Sequence, residues 1–125
     1  MTAPRDPVIR TAPMPSDINI KGHIFGGWVL SQMDIAGGVT AARTAKGSVA
    51  TVAVEGMKFL TPVLVGDLIS CYTKVTKVGN TSMHIHIDVM ANRPGIAEEI
   101  KVTEGIYIFV AVDENGRPRP VNSDK

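Results

Sequence analysis

The spacing of apolar residues changes once along this chain, and that change restricts its fold more than any other feature. From about Gly27 to Thr44 apolar residues lie on most sides of a predicted helix, whereas from Ser48 onward they recur at every second position. The alternating part divides into four segments, 48–60, 67–78, 81–92 and 100–113. Their connections are short enough for antiparallel hairpins and too short for crossover helices. We therefore predict an α+β fold in which a four- or five-stranded antiparallel sheet curls around one long central helix.

The chain forms a single predicted domain over residues 1–125. Its length is ordinary for one domain with its own core, and no internal repeat or linker divides it. Residues 1–8, which include Pro4 and Pro7, and residues 121–125 are expected to be mobile ends.

Composition excludes several classes of partner. Thirteen basic and twelve acidic side chains leave a formal net charge of +1, so we predict no nucleic-acid partner. No apolar run is long enough to span a membrane. The one cysteine, Cys71, cannot form an internal disulfide, and with no secretory signal at the start of the sequence it favours the cytoplasm.

The last alternating segment is apolar on both faces. Tyr107 and Phe109 point to one side. The residues that point to the other side are Ile106, Ile108, Val110 and Val112. A single sheet covering one helix would expose its outer face to water, so we expect this outer face to meet other subunits of a homo-oligomer.

The predicted helix contains one carboxylate among apolar residues. Asp34 lies between Met33 and Ile35, and a buried ionised carboxylate is costly unless it is paired, hydrogen-bonded or used in chemistry. The residues alone leave two interpretations open: a structural carboxylate bonded to a neighbouring chain, or a catalytic group whose partial burial makes it a better base. Ser31, one turn earlier on the same face, could fix the carboxylate or face a ligand.

The start of the helix offers a second candidate feature. Gly26 and Gly27 have no side chain that would keep a ligand from the unpaired N–H groups of a helix N-terminus. We expect the N–H of Gly27, with that of Trp28, to bind a partly negative oxygen atom. The alternative is that the two glycines serve only the geometry of the turn.

Several motifs in one order resemble a known family. They are PSDINIKGHIFGGWVLSQMDIAGG, VAVEGMKFLTPVLVGD, KVGNTS and FVAVDENGRPRPV, and they extend from about Arg10 to Val121. The chain resembles the hotdog-fold acyl-CoA thioesterases of the YciA type. The resemblance implies a hotdog fold, hydrolysis of acyl-CoA to a free acid and CoA, a homo-oligomer that is commonly a trimer of dimers, and no metal or organic cofactor. His23 departs from the pattern, since relatives often carry Asp or Asn before IFGG.

The resemblance assigns roles to three positions. Asp34 would activate water as a general base or attack the thioester directly, and the sequence does not separate the two. Gly27 would polarise the thioester oxygen. Asn19 would hold water or the thioester carbonyl with its amide, the alternative being an Asx turn in a turn-rich loop.

The spacing of two of these positions predicts a dimer. Asp34 follows Gly27 by seven residues, so the two lie about 10 Å apart along one helix. One chain cannot easily bring both to a single thioester group. We expect a two-fold dimer in which Gly27 of one chain faces Asp34 of the other, an arrangement that the resemblance also implies.

The remaining substrate contacts are expected near the surface, because no glycine fingerprint for a nucleotide is present. Gly26, Trp28 and Ser31 belong to the predicted substrate-binding set. The candidates for the CoA moiety are Lys77, Asn80, Thr81, Ser82 and Arg117, with Arg119 in addition. The acyl group is expected in the apolar gap between helix and sheet.

One segment could also be interpreted as a metal site. His84, His86 and Asp88 share a face of the segment 81–92, and a His-x-His pair can bind zinc. The other face of the segment is apolar, which explains it as an ordinary strand with one polar side. We therefore expect no metal site and place these residues at a subunit contact or in solvent.

Two other functions are alternatives to thioester hydrolysis. A hotdog dehydratase or hydratase acting on acyl-CoA needs an acid and a base, and Asp34 has no histidine near it in the sequence beyond His23. A non-catalytic acyl-CoA sensor would bind its ligand without turnover, but no effector segment is recognisable.

Overall fold

The computed structural model describes residues 5–122. One long helix and five strands follow one another along the chain. The elements are β1 (Ile9–Thr11), a single 3₁₀ turn (Pro15–Asp17), α1 (Gly26–Ala45), β2 (Val49–Phe59), β3 (Leu68–Val78), β4 (Ser82–Asn92) and β5 (Ile100–Ala111). The helix and the four long strands lie where the change in apolar spacing predicts them.

The strands form one antiparallel sheet in the order β1-β3-β4-β5-β2. Two hairpins join β3, β4 and β5, whereas β2 pairs with β5 and so lies at one edge of the sheet. The sheet curls around α1, which confirms the predicted hotdog fold. The sequence did not indicate β1, because three residues are too few to show an alternating pattern.

Both ends of the described chain are attached to the core. The N–H of Val8 donates to the carbonyl of Cys71, and Val121 is buried and donates its N–H to the carbonyl of Asn80. The mobility of residues 1–8 and 121–125 stays a prediction. Residues 1–4 and 123–125, which complete that prediction, lie outside the described residues.

The core lies between α1 and the concave face of the sheet. Every second residue of β4 is fully buried there, namely Met83, Ile85, Ile87 and Val89. Met33 of α1 is fully buried too, and a Cβ on Gly37 would lie 2.8 Å from the Phe109 ring. Because Gly37 has no side chain, the Phe109 ring of the sheet packs closely against α1. Side chains fill this part of the interface, and the expectation that the acyl group enters the gap between helix and sheet stays a prediction.

Cys71 is a packed thiol of β3. It is fully buried opposite Ile9 of β1, and burial raises the pKa of its thiol to about 12. The side chain therefore stays protonated at neutral pH and takes no part in nucleophilic chemistry.

Part of the exposed apolar surface lies on β2 and on the outer side of α1. Val52, Val54 and Phe59 of β2 are exposed, as is Ile35 of α1. On the convex face of the sheet, the outward residues of β5 predicted to be apolar are partly buried. In residues 5–122 no helix is long and apolar enough to cross a membrane.

Candidate functional site

The N-terminus of α1 presents two open donors. Phe25 is the residue before the helix and supplies no capping side chain. The N–H groups of Gly26 and Gly27 have no hydrogen-bond partner among residues 5–122. Trp28 differs from the prediction, because its N–H donates to the Phe25 carbonyl at 3.1 Å. Gly26 and Gly27, rather than Gly27 and Trp28, therefore provide free donors at the positive end of the helix dipole.

The two glycines are not required by turn geometry. Neither has a positive φ, and a Cβ on Gly27 would meet no atom within 4 Å. A Cβ on Gly26 would lie 3.7 Å from the ring of Phe59, an ordinary contact. Side chains here would thus be tolerated within the chain, and their absence keeps space open for a ligand or a second copy.

A cavity of about 250 Å³ opens beside the helix N-terminus. Gly26 and Asn19 lie on its wall, and so do Phe59 and Thr103 from the paired ends of β2 and β5. The segment after β2, residues 60–63, completes one side. This is a concave space of mixed polarity next to the two open donors.

An ion pair holds that wall in place. Arg93 makes two hydrogen bonds to the Asp67 carboxylate, at 2.9 and 2.8 Å, and a third to the Pro62 carbonyl at 3.0 Å. The N–H of Ile24 donates to the Val63 carbonyl. Burial acts to raise the pKa of Asp67, but the Arg93 guanidinium and the Leu64 N–H outweigh it and hold that pKa below its ordinary value.

Asn19 forms the turn that the sequence offered as one of two alternatives, and its role towards a substrate stays a prediction. Its Oδ1 accepts hydrogen bonds from the backbone N–H groups of Lys21 and His23, at 2.9 and 3.1 Å. The side chain therefore does form an Asx-type turn before the helix. Its Nδ2 has no partner in the described chain, so the side chain retains an N–H₂ donor at the cavity while its oxygen is already occupied. His23, the departure from the family pattern, also lines the cavity.

Asp34 lies on the outer side of α1 and is exposed in the single chain. The sheet covers only the opposite side of the helix, and the predicted burial of Asp34 between two subunits stays a prediction. The hydroxyl of Thr51 in β2 donates to Asp34 Oδ1 at 2.5 Å. Ser31 is exposed one turn earlier and makes no hydrogen bond to Asp34. Thr51, and not Ser31, fixes the carboxylate.

Tyr107 lies under α1 near Asp34. Its hydroxyl donates to the carbonyl of Leu30 at 2.8 Å. Burial, followed by the negative charge of Asp34, raises the pKa of Tyr107 to about 12. The phenol therefore remains a hydrogen-bond donor that supports the middle of the helix, and it cannot act as a base near neutral pH.

The predicted CoA-binding residues lie on the β3–β4 hairpin, including the adjoining ends of its two strands, and on the C-terminal segment. The hairpin after β3 meets the C-terminal segment, since the carbonyls of Asn80 and Thr81 accept the N–H groups of Val121 and Ala111. The side chains of Lys77, Asn80 and Arg117 are exposed, and those of Thr81 and Ser82 are partly buried. This arrangement brings the hairpin and the tail together at one surface.

Arg119 does not belong with these surface residues. It is 9% exposed, and its guanidinium donates to the carbonyls of Ala45 and Val112 at 2.8 and 3.2 Å. It therefore satisfies the C-terminal end of α1, where carbonyls lack helical partners. Its role is structural.

The polar face of β4 forms an ion network on the convex side of the sheet. His86, Asp88 and Glu104 present ligand atoms within 4.8 Å of one another, whereas His84 is outside this cluster. Lys101 already bridges the two carboxylates, at 3.1 Å to Asp88 and 2.8 Å to Glu104. Hydrogen bonds from Lys101 and then from His86 hold the pKa of Glu104 below its ordinary value. The acidic groups thus have cationic partners from the chain itself.

Sequence reasoning did not identify Thr51, Thr103 or the pair of Asp67 and Arg93. The bond from Thr51 to Asp34 joins residues on a helix and a strand, and its existence depends on how the two cross. Thr103 is one of many alternating residues in β5. Only Asp67, an acidic residue directly after a glycine turn, carried any local signal.

Comparison with known proteins gives relatives over nearly the whole chain. The family model described as the thioesterase superfamily matches residues 21–97. The acyl-CoA thioester hydrolase YciA of Salmonella typhimurium is 51% identical over 118 residues, which are 91% of this chain and 88% of that protein.

Two solved structures share the architecture. HI0827, a hexameric broad-specificity acyl-coenzyme A thioesterase in the form of an aspartate-to-alanine mutant, has a TM-score of 0.91 and 42% identity. The match covers 98% of this chain and 90% of HI0827. The hexameric thioesterase y2039 from Yersinia pestis has a TM-score of 0.90 and 43% identity, with 98% of this chain and 100% of that one covered.

Proposed function

The chain belongs to the thioesterase superfamily, as an acyl-CoA thioester hydrolase of the YciA type, and from that premise we propose how it hydrolyses acyl-CoA to free acid and CoA. The observation that carries the proposal is the arrangement along α1. Open N–H donors at Gly26 and Gly27 begin the helix, and Asp34, held by Thr51, lies two turns later on its uncovered side. The proposed site uses both features, each from a different copy of the chain.

The edge strand supports a dimer as the catalytic unit. β2 is an edge strand of 11 residues, and nearly all of them are exposed. A long exposed edge strand with unpaired backbone groups is a template for pairing with another strand. In the proposed dimer, β2 of one copy pairs with β2 of the other around a two-fold axis. The outer sides of the two α1 helices then lie against each other.

This pairing would explain how the Asp34 carboxylate takes part in the reaction. Antiparallel helices related by a two-fold axis can bring Gly27 of one copy close to Asp34 of the partner subunit, whereas about 10 Å of helix separates the two residues within a chain. Enclosure by the second copy would also account for an acid among apolar residues such as Ile35 and Val52. Each dimer then contains two equivalent sites.

The proposed reaction begins when the thioester oxygen accepts hydrogen bonds from the N–H of Gly27, with that of Gly26 beside it. The donors stabilise the negative charge that develops on this oxygen as the carbonyl carbon is attacked. Asp34 either takes a proton from the attacking water or attacks the carbon itself to give an anhydride that water then hydrolyses. In both routes the thiolate of CoA leaves and takes up a proton. The Nδ2 group of Asn19 would orient the substrate.

The remaining proposals concern the contacts of the CoA moiety, the location of the acyl group and the need for a cofactor. Lys77 and Arg117, with the neighbouring polar residues Asn80, Thr81 and Ser82, would meet the phosphates of CoA. The half-buried indole of Trp28 and the hydroxyl of Ser31 would border the thioester. The acyl group would lie in the apolar surface enclosed between the copies. The reaction needs water alone, so no metal ion or organic cofactor is proposed.

Further assembly and location are also proposed. The relatives HI0827 and y2039 are hexameric, and we extend this to a trimer of dimers whose contacts include the apolar convex face of β5. The cytoplasm is the proposed compartment, where Cys71 would remain a free thiol.

Release of free thiol tests the proposed activity. Wild type and Asp34→Asn would be compared on short, medium, long and aromatic acyl-CoAs, before and after dialysis against a chelator, with circular dichroism as the control for folding. We expect wild-type turnover that survives dialysis, and loss of turnover in the folded variant. Binding without thiol release in wild type would favour a sensor, and double-bond chemistry without thiol release would favour a dehydratase. Undiminished turnover in Asp34→Asn would exclude Asp34 as base and as nucleophile.

A further inference from the structure

The ion network on the convex side of the sheet contains a buried acceptor atom. Asp88 Oδ1 is buried and has no hydrogen-bond partner in the described chain. The Nζ of Lys101 lies 3.1 Å from it, at the distance of an ion pair but without the alignment of a hydrogen bond. Arg5 donates to the other oxygen of the carboxylate, Oδ2, at 3.0 Å. A buried carboxylate oxygen without a hydrogen bond is destabilising, so its presence needs an explanation.

Two further ligand atoms lie beside Asp88 Oδ1. His86 Nε2 is 3.9 Å from this oxygen and 3.3 Å from Glu104 Oε2. Ligand atoms of all three residues lie within 4.8 Å of one another. The ligands of one zinc ion, each about 2.0–2.2 Å from the metal, are about 3–3.5 Å apart. Small side-chain rotations would therefore bring the three atoms to a single ion.

This set differs from the one that the sequence offered. His84, His86 and Asp88 share a face of β4, and the expectation of no metal site considered that strand alone. The structure leaves His84 outside the cluster and adds Glu104, which lies opposite Asp88 on the neighbouring strand β5. The third ligand thus depends on strand pairing, which a single segment of sequence does not show.

The charges of the cluster suit a cation. Burial acts to raise the pKa of Asp88, but hydrogen bonds from Arg5 and Lys101 outweigh it and hold that pKa below its ordinary value. The pKa of Glu104 is lowered as well, so both carboxylates are ionised at neutral pH. Metals bind ionised carboxylates and neutral imidazoles. One nitrogen and two oxygens form a donor set for zinc and similar divalent transition metals.

Lys101 is the competitor for this position. Its ammonium bridges Asp88 and Glu104, where a metal ion would also meet both carboxylates. The side chain is 38% exposed, so it can turn into solvent when another cation binds. Competition of this kind lowers the affinity for a metal without removing any of the three ligands.

We propose that His86, Asp88 and Glu104 form a binding site for a divalent transition-metal ion, which replaces the Lys101 ammonium between the carboxylates. The ion joins β4 to β5 on the face of the sheet opposite α1, and water fills its remaining positions. Its role is structural, because the sheet separates it from Asp34. The inference therefore does not depend on the proposed hydrolysis.

Zinc binding by the wild-type chain tests the proposal, after dialysis against a chelator and removal of that chelator. Isothermal titration with Zn²⁺ should give one ion per chain, and the melting temperature should rise with the Zn²⁺ concentration. His86→Ala should weaken binding by at least about tenfold, since even groups that only orient ligands cost this much when lost. Lys101→Met keeps all three ligands and should bind Zn²⁺ more tightly than wild type.

His84→Ala is the matched control. His84 lies on the same face of β4 but outside the cluster, so this variant should bind Zn²⁺ as wild type does. Absence of binding by wild type would overturn the proposal. Equal binding by wild type and His86→Ala would also overturn it and would mean an adventitious ion only. Thiol release from acyl-CoA without added Zn²⁺ should be the same in all four proteins, so a failed zinc site is distinguishable from a failed hydrolase.

Discussion

At the scale of single residues, several polar side chains already have hydrogen-bond partners within the chain. The side-chain oxygen of Asn19 accepts two hydrogen bonds within a turn, whereas its side-chain nitrogen has no partner in the described chain. The hydroxyl of Thr51 donates a hydrogen bond to Asp34. Arg119 donates to the carbonyl of Ala45 at the end of α1 and to the carbonyl of Val112 after β5. These assignments separate residues that can meet a substrate from residues that hold the fold.

The bond from Thr51 to Asp34 makes Thr51 a positioning residue. Thr51→Val should reduce kcat for acyl-CoA by about tenfold or more, because the carboxylate loses the hydrogen bond that orients it. KM should change little, and Thr51→Ser should recover most of the lost kcat. Steady-state kinetics on the three proteins checks this. A purely structural Thr51 would instead lower the melting temperature and leave kcat of the folded fraction unaltered.

The ion pair of Asp67 and Arg93 should make stability depend on pH. Arg93→Met leaves a buried carboxylate without its partner, and we expect a loss of about 3–5 kcal/mol in the free energy of unfolding at pH 7. Because the folded-state pKa of Asp67 lies below its ordinary value, this stabilisation is present above the ordinary carboxyl range, near pH 4, and lost as the pH falls through the lower value. The difference between wild type and variant should therefore shrink on acidification.

Urea unfolding at several pH values measures that difference. A gap between the two proteins that stays constant down to pH 3, or widens there, would contradict the role given to the pair.

The residue scale is also where the sequence was least informative. The position of Asp34 among apolar residues signalled that it needs a partner, but Thr51 is 17 residues away and no local pattern links the two. The sequence also does not state which side of the helix the sheet will cover, so the exposure of Asp34 in the single chain could not be predicted.

At the scale of elements, the start of α1 is the feature with the clearest chemical consequence. A helix that begins at Gly26 without a capping side chain leaves its first N–H groups open. The bounds of α1 and of the four long strands followed from the change of apolar period. The short strand β1 did not, because its pairing with β3 is tertiary.

Two proline substitutions test the donors. Gly27→Pro removes the N–H assigned to the thioester oxygen and should lower kcat by about 10²–10³-fold, the usual cost of one such donor. Gly26→Pro removes the neighbouring N–H at the first helical position, where proline is favoured, and should cost less. Proline is tolerated in a first helical turn, and circular dichroism verifies the helix content of both variants. Equal activity of Gly27→Pro and wild type would refute the assignment.

At the scale of the whole molecule, the uncovered surface determines the assembly. The single chain exposes β2 and the outer side of α1, with Phe25, Ile35, Val52 and Phe59 among the exposed apolar residues. The apolar alternation on both faces of β5 predicted subunit contacts. The sequence could not say which edge strand would remain open, since that depends on the order of strands in the sheet.

A charge on the open edge should dissociate the proposed dimer. Val52 is 57% exposed, so Val52→Lys should fold in the single chain but place like charges across the two-fold axis. We expect a smaller particle by light scattering and loss of thiol release. Ile96→Lys, at an exposed residue outside the proposed interface, is the control and should match wild type. A fully active monomer would show that one chain suffices.

The central claim is that one active site takes its oxyanion donor from one copy and its carboxylate from another. Co-expression of Asp34→Asn with Gly27→Pro, each inactive alone, tests it by thiol release from acyl-CoA. Random pairing gives half of the dimers one intact site out of two, so about a quarter of wild-type activity should return. No recovered activity in verified mixed dimers would mean that Gly27 and Asp34 serve the site of the same chain, and the shared site would be wrong.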